Sequence, residues 1–159
     1  TWSVHDLNLL LSSVASASGL NATWNGRVKL ALQLDPGEPR VWCDEERLKQ
    51  VFVNLISNAL DAMPQEGLLA ISTRLVGDRV EVKFTDTGIG IPPEHLERVF
   101  DAFFTSKPEG KGTGVGLASS RRTVERHGGT ITVDSQVGKG TTVTILLPMQ
   151  PTDEATSNS

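Results

Sequence analysis

The stretch Asp86-Thr87-Gly88-Ile89-Gly90-Ile91-Pro92-Pro93 constrains this chain more than any other. It follows the alternating apolar pattern of residues 80–84, carries one acid at its head and turns on two glycines. It then enters a helix through proline, whose missing N–H costs nothing in a first helical turn. A strand end of this kind can point a carboxylate into a pocket. Two other segments complete the constellation. Upstream lies Asn54-Leu55-Ile56-Ser57-Asn58-Ala59, and downstream Gly110-Lys111-Gly112-Thr113-Gly114-Val115-Gly116-Leu117. An acid for a base, a carboxamide for a metal and a glycine-rich loop for phosphates together point to a nucleotide site.

The elements around these motifs read clearly. Leu48, Val51, Phe52, Leu55, Ile56, Ala59, Leu60 and Met63 keep the three-four spacing of an amphipathic helix, capped by Asp44 and stopped by Pro64. Residues 4–20 read as a helix capped near Asp6, residues 27–34 as a half-buried strand and residues 40–42 as a short strand. Strands at 69–75 and 80–84 flank the turn Gly77-Asp78. A helix from Pro92 places Leu96, Val99, Phe100 and Phe103 on one face. Another runs over 115–127 and ends at Gly128-Gly129. A hairpin of 130–133 and 142–147 closes the chain around Gly138-Lys139-Gly140. The predicted fold is an α/β (α+β) two-layer sandwich. It has one mixed, mostly antiparallel sheet of about five strands and three main helices on one face. Residues 1–20 are expected to be the end of a linker and a first helix, 21–148 the binding domain, and 149–159 a disordered tail.

Composition narrows the function. The 159 residues, 38% hydrophobic and 21% charged, suit one soluble domain with a sizeable core. A net charge of −4 argues against a nucleic-acid surface. No apolar run is long enough to span a bilayer and nothing resembles a signal peptide, so no membrane contact by this domain is expected. The lone Cys43 allows no internal disulfide and fits a reducing, cytoplasmic setting. The chain starts at Thr1 and is read as a piece of a longer protein, whose membrane attachment is open.

Each motif carries its own chemistry. Asn54 and Asn58 are four apart and Asp61 three further on, so all lie on one helix face together with Arg47 and Gln50. An Asn oxygen is a hard, neutral ligand suited to Mg²⁺; taken alone, the stripe reads first as the solvated face of an ordinary amphipathic helix. Asp86, if buried, accepts only, so it takes the exocyclic amine of adenine and opposes the carbonyl of guanine. Alone, it reads equally as a tight turn with a capping acid. Gly88 and Gly90 allow positive φ and close approach of a flat base. Gly112, Gly114 and Gly116 lead into a helix start whose free N–H groups suit phosphate, with Lys107 and Lys111 in the same loop. Cys43, Trp2, Trp24 and Trp42 read as packing residues, and His127 as a structural residue at a helix end where a positive charge is favourable.

Taken together, these residues resemble the catalytic ATP-binding domain of bacterial two-component sensor histidine kinases, in the Bergerat-type (GHKL) superfamily. Residues Asn54 to Ala59 resemble the N box and Asp86 to Ile91 the G1 box. Phe100-Asp101-Ala102-Phe103-Phe104-Thr105-Ser106-Lys107 resembles the F box, and Gly112 to Leu117 the G2 box. The order and spacing match from about Asp6 to Pro148, and the wording is most similar to the nitrogen- and oxygen-sensing subgroup. The resemblance implies that Asn58 coordinates Mg²⁺, with Asn54 supporting it or the phosphates. It implies that Asp86 binds the adenine amine with Gly88, Gly90 and Ile91 beside the base. It implies that Lys107 and the amides of Gly114, Gly116 and Leu117 hold phosphates, and that residues 105–114 form the ATP lid. Asp61, Phe104, Thr105, Gly112, Thr113, Val115 and Thr142 complete the implied nucleotide contacts.

Related gyrase- and MutL-type ATPases place a water-activating Glu where this chain has Asn54, which cannot act as a general base. The sequence therefore favours an ATP held for another nucleophile. In the resembled family that is a histidine on a separate helical dimerisation domain of the same kinase, with relay to the Asp of a response-regulator receiver domain. His5 does not match the expected phosphoacceptor motif, so the substrate histidine is expected to lie outside this chain. A serine kinase of the same fold and a non-catalytic nucleotide-sensing module are the alternatives.

Overall fold

The computed structural model describes residues 1–17, 28–101 and 117–149. The elements run β1 (Trp2–Asp6), α1 (Leu7–Ala17), β2 (Val28–Gln33), β3 (Arg40–Asp44), α2 (Glu45–Asp61), β4 (Gly67–Val76), β5 (Arg79–Asp86), α3 (Pro93–Leu96), α4 (Ala118–Arg126), β6 (Thr130–Gln136) and β7 (Gly140–Pro148). A five-stranded sheet has the order β2-β4-β5-β7-β6. Among the described strands β2 and β4 pair in parallel and the other neighbours are antiparallel, β4–β5 and β6–β7 as hairpins and β5–β7 across a long connection. This is the expected mixed, mostly antiparallel sheet.

Alternation decides which face is covered. Val80, Val82, Phe84 and Asp86 of β5 are buried, and so are Thr141, Val143, Ile145 and Leu147 of β7. Their sequence neighbours Glu81, Lys83, Thr85, Thr142 and Thr144 lie on the other, more open face. α2 packs on β5 through Leu48, Val51, Phe52, Leu55, Ile56 and Ala59, all buried. Phe52 meets Phe84 at a centroid separation of 5.8 Å. α1 packs on α2 and α4 on β6.

Three expectations need correction. The helix read from Val4 begins only at Leu7, and residues 2–6 form strand β1. Asp6 Oδ1 accepts from the Asn8 amide at 2.9 Å and the Leu9 amide at 3.4 Å. A capping residue stands outside the helix it caps, so Val4 and His5 fall outside it too. They extend along β3 in a separate two-stranded sheet with Trp2 opposite Asp44, a pairing too distant in sequence to be seen as a hairpin. The helix from Pro92 is a single turn, Pro93–Leu96. Beyond it the chain continues in tight turns, with Arg98 N donating to His95 O and Asp101 N to Arg98 O. Val99 is buried and Phe100 partly buried as the spacing suggested, while Phe103 lies outside the described residues. Trp42 is 38% exposed and so is not a core residue, and Trp24 lies outside the described residues.

Candidate nucleotide site

Asp86 ends β5 with 7% of its surface exposed. The Gly88 amide donates to its Oδ1 at 2.9 Å and the Thr141 amide at 3.3 Å. Burial holds its carboxyl above the ordinary carboxylate value, and these two amides pull it partly back. Both hydrogen bonds from described residues converge on the same oxygen, so the geometry leaves Oδ2 as the second acceptor of a fixed carboxylate.

Of the two glycines of the turn, Gly90 keeps the reason the sequence suggested and Gly88 has a different one. A side chain on Gly88 would run into the Ala62 carbonyl at the end of α2, and the next amide, Ile89 N, donates to that same carbonyl at 3.0 Å. Gly88 therefore permits helix-to-turn packing. Gly90 does need its positive φ of 78°, and a Cβ there would run into the backbone of Gln136 and Val137. Thr87 supports the turn from below, since Leu68 N donates to its Oγ1 at 3.0 Å. Ile91 N donates to Ser135 Oγ at 2.8 Å. The acid turn is thus clamped between the end of α2 and the β6–β7 hairpin.

α2 begins where Asp44 caps it, accepting from Arg47 N at 3.5 Å. Asn54 and Asn58 are half-buried on its flank, with Arg47, Gln50 and Asp61 exposed along the same stripe. Gln50 Nε2 donates to Asn54 Oδ1 at 3.1 Å. Asn58 sits one turn before Ala62, and its carbonyl accepts the Ala62 amide at 3.1 Å. The carboxamide stripe and the acid turn therefore meet at the last turn of α2. Among the described residues no group of three or more His, Cys, Asp or Glu could hold a metal. The donors present fit a magnesium ion arriving on phosphates and retaining water, with one neutral oxygen from Asn58.

Leu117 opens α4, and its amide donates to Val99 O at 2.5 Å, so any phosphate contact from this amide requires that bond to break. The Arg121 guanidinium lies 5.0 Å from the centre of the Phe100 ring and ties the α4 start to the segment after α3. Phe104, Thr105, Lys107, Lys111, Gly112, Thr113, Gly114, Val115 and Gly116 lie outside the described residues. Thr142 does not join the site. It pairs with Thr85 and its Oγ1 donates to Thr85 Oγ1 at 3.3 Å, on the sheet face opposite Asp86. Thr141 occupies the Asp86 face instead, because strand alternation reverses the direction of each successive side chain. Sequence reasoning missed Thr141, Ser135 and Ala62; the Gly138-Lys139-Gly140 turn located the hairpin but not its register.

Two histidines lie outside the cleft, and for His127 the charge state differs from expectation while the structural role does not. His127 is buried, and its Nδ1 donates to Thr123 O at 2.7 Å while Nε2 accepts from Asp44 N at 3.1 Å. The ring is therefore neutral rather than a helix-end cation, and burial depresses its pKa against the opposing Thr123 bond. Trp2 covers it at a centroid distance of 4.4 Å. His5 lies between Ser3 Oγ at 2.8 Å and Glu45 Oε2 at 3.5 Å.

A mixed five-stranded sheet covered by helices, with a fixed strand-end carboxylate beside a carboxamide-bearing helix, defines a Bergerat-type nucleotide-binding domain. The family model for histidine kinase-, DNA gyrase B- and HSP90-like ATPases matches residues 43–151, and the chain belongs to that family. Sensor histidine kinase ZraS of Escherichia coli (strain K12) is 38% identical over 147 residues, covering 92% of this chain and 31% of ZraS. This chain thus spans about a third of that relative. The catalytic domain of histidine kinase ThkA superposes with a TM-score of 0.83 at 29% identity, covering 95% of this chain and 97% of that one. The complex of ThkA with response regulator protein TrrA matches with a TM-score of 0.75 at 27% identity, covering 93% of this chain and 42% of the ThkA chain. The fold is that of a histidine kinase catalytic domain.

Proposed function

We propose that this domain binds Mg-ATP and delivers the γ-phosphoryl group to a histidine on a separate helical domain of its parent kinase, for relay to a response-regulator aspartate. The observation that carries the reading is the buried Asp86, fixed by two amides on Oδ1. Its Oδ2 accepts the adenine 6-amino group; guanine would place a second acceptor there. Asn58 lends its carboxamide oxygen to Mg²⁺, which bridges and neutralises phosphate oxygens when bound. Asn54 has its oxygen engaged by Gln50, so its N–H₂ is the end offered to the phosphates. Lys107 and the amides of Gly114 and Gly116 complete the phosphate contacts, joined by the Leu117 amide once its bond to Val99 O opens, with residues 105–114 as a lid.

Asn54 lacks the basicity to activate water, so the bound triphosphate awaits a nucleophile that needs no base. A neutral imidazole nitrogen already carries a lone pair. The protein's contribution is then in-line alignment and charge neutralisation. The complex of ThkA with a response regulator supports a receiver domain as the onward partner. A cytoplasmic location follows from this role.

The test uses γ-labelled ATP. This domain should bind ATP alone and transfer label only when the parent's helical domain is added, giving an acid-labile, base-stable phosphoprotein. Acid-stable label would identify a serine kinase instead, and absence of transfer with bound ATP would identify a nucleotide sensor.

A further inference from the structure

We propose that Ser135 is a positioning residue for purine selection: its one hydroxyl ties the acid turn to the β6–β7 hairpin and so sets the direction of the Asp86 carboxylate. The proposal rests on the reading of Asp86 as the purine acceptor. It begins from register. Leu30, Leu69, Asp86, Thr141 and Ser135 are paired in one row across β2, β4, β5, β7 and β6. Directly opposed residues share a sheet face. The row is apolar in its first half and polar in its second. The next row inward, Ile71, Phe84, Val143 and Val133, is apolar throughout. Three hydrogen-bonding side chains thus sit side by side at one end of a sheet face whose next row is apolar.

Ser135 uses its full bonding capacity. Its Oγ accepts from Ile91 N at 2.8 Å and donates to Gly140 O at 2.9 Å. A hydroxyl has one hydrogen, so the 2.8 Å contact with Thr141 Oγ1 has Thr141 as donor. Ile91 belongs to the acid turn, while Gly140 and Thr141 start β7. The two amides that hold Asp86, from Gly88 and Thr141, come from these same two segments. The terminal torsion of an Asp side chain is broad and sets no direction by itself. The carboxylate therefore points where those two amides send it, and Ser135 keeps the two segments in register.

Calorimetry with ATP and GTP on this domain, with circular dichroism as the folding control, tests the proposal. Ser135→Ala should weaken ATP binding about tenfold and narrow the ATP-to-GTP ratio, because the acceptor no longer faces one purine edge. Ser135→Thr keeps the hydroxyl and should restore both. Equal weakening of ATP and GTP, an unchanged ATP affinity, or failure of the Thr variant to restore the ratio would each overturn the proposal. Should Ser135→Ala not fold, amide exchange of Ile91 in the nucleotide-free wild type decides: protection supports the tether and exchange at the open-chain rate refutes it. Asp86→Asn separates the two levels. Retained ATP binding in that variant defeats the Asp86 reading itself, whereas its loss beside an indifferent Ser135→Ala defeats only the role of Ser135.

Discussion

Burial raises the energy of an ionised Asp86, and the amides of Gly88 and Thr141 offset part of that cost. A folded-state pKa above the ordinary value means that stability is lost as pH rises through it. Asp86→Asn should therefore melt at or above the wild-type temperature at pH 7, since the amide oxygen still accepts from Gly88 and Thr141. The same substitution should cost about 3 kcal/mol of ATP affinity, because the amide's N–H₂ end then meets the adenine amine. Calorimetry and thermal melts on one sample check both halves, and a stabilised variant that still binds ATP would contradict the site. Asn58→Ala should remove the Mg²⁺-dependent share of ATP affinity and leave the Mg²⁺-free share intact. Titrations with and without the cation measure this, and an unchanged Mg²⁺ effect would refute the metal assignment.

At the scale of elements, the start of α2 and the end of α4 are joined through one neutral ring. His127 accepts from the Asp44 amide and donates to the Thr123 carbonyl. Asp44 also attracts a proton to the ring, Arg47 repels it, and burial outweighs both. A depressed histidine pKa contributes stability that is present above the ordinary value of 6.5 and lost as pH falls through the lower folded value. The melting temperature should accordingly drop below pH 6.5 in the wild type and drop less in His127→Gln. A parallel pH dependence in both proteins would assign the acid loss elsewhere. Gly88→Ala probes the other end of α2. Its Cβ would meet a helix carbonyl that cannot rotate away, so denaturant unfolding should show a loss of about 2 kcal/mol or more. ATP affinity should fall with it, because the turn carries Asp86.

For the whole molecule, the single thiol reports on global opening. Cys43 is fully buried, and burial with Glu45 and Asp44 nearby pushes it up to about 11. Labelling by a thiol reagent should therefore proceed only through opening of the fold, and excess Mg-ATP should slow it by the factor one plus the ratio of free ligand to Kd. Fast labelling of the native protein would show that the β1–β3 layer opens on its own. That layer is the part of the fold with the longest reach. Its outer strand precedes α1, its inner strand precedes α2, and its Trp2 covers a histidine at the far end of α4.

The amino-acid sequence was enough to locate α2, α4, the strands of the main sheet and the acid turn, because each rests on local causes. Asp44 before Glu45 and Glu46 starts a helix, Pro64 ends one, and Gly90 alone permits the φ found there. It also carried the family, since four ordered motifs need no coordinates to be seen. The tertiary structure decided which partners those elements meet. Strand β1 was hidden because its partner lies some forty residues away and no local pattern announces the pairing. Thr141 rather than Thr142 shares the Asp86 face because adjacent strand residues point to opposite faces, and face is set by register against β5. His127 looked like a helix-end cation until burial and two hydrogen bonds made it neutral. Register, burial and long-range pairing are properties of packed elements, so no single segment of the chain contains them.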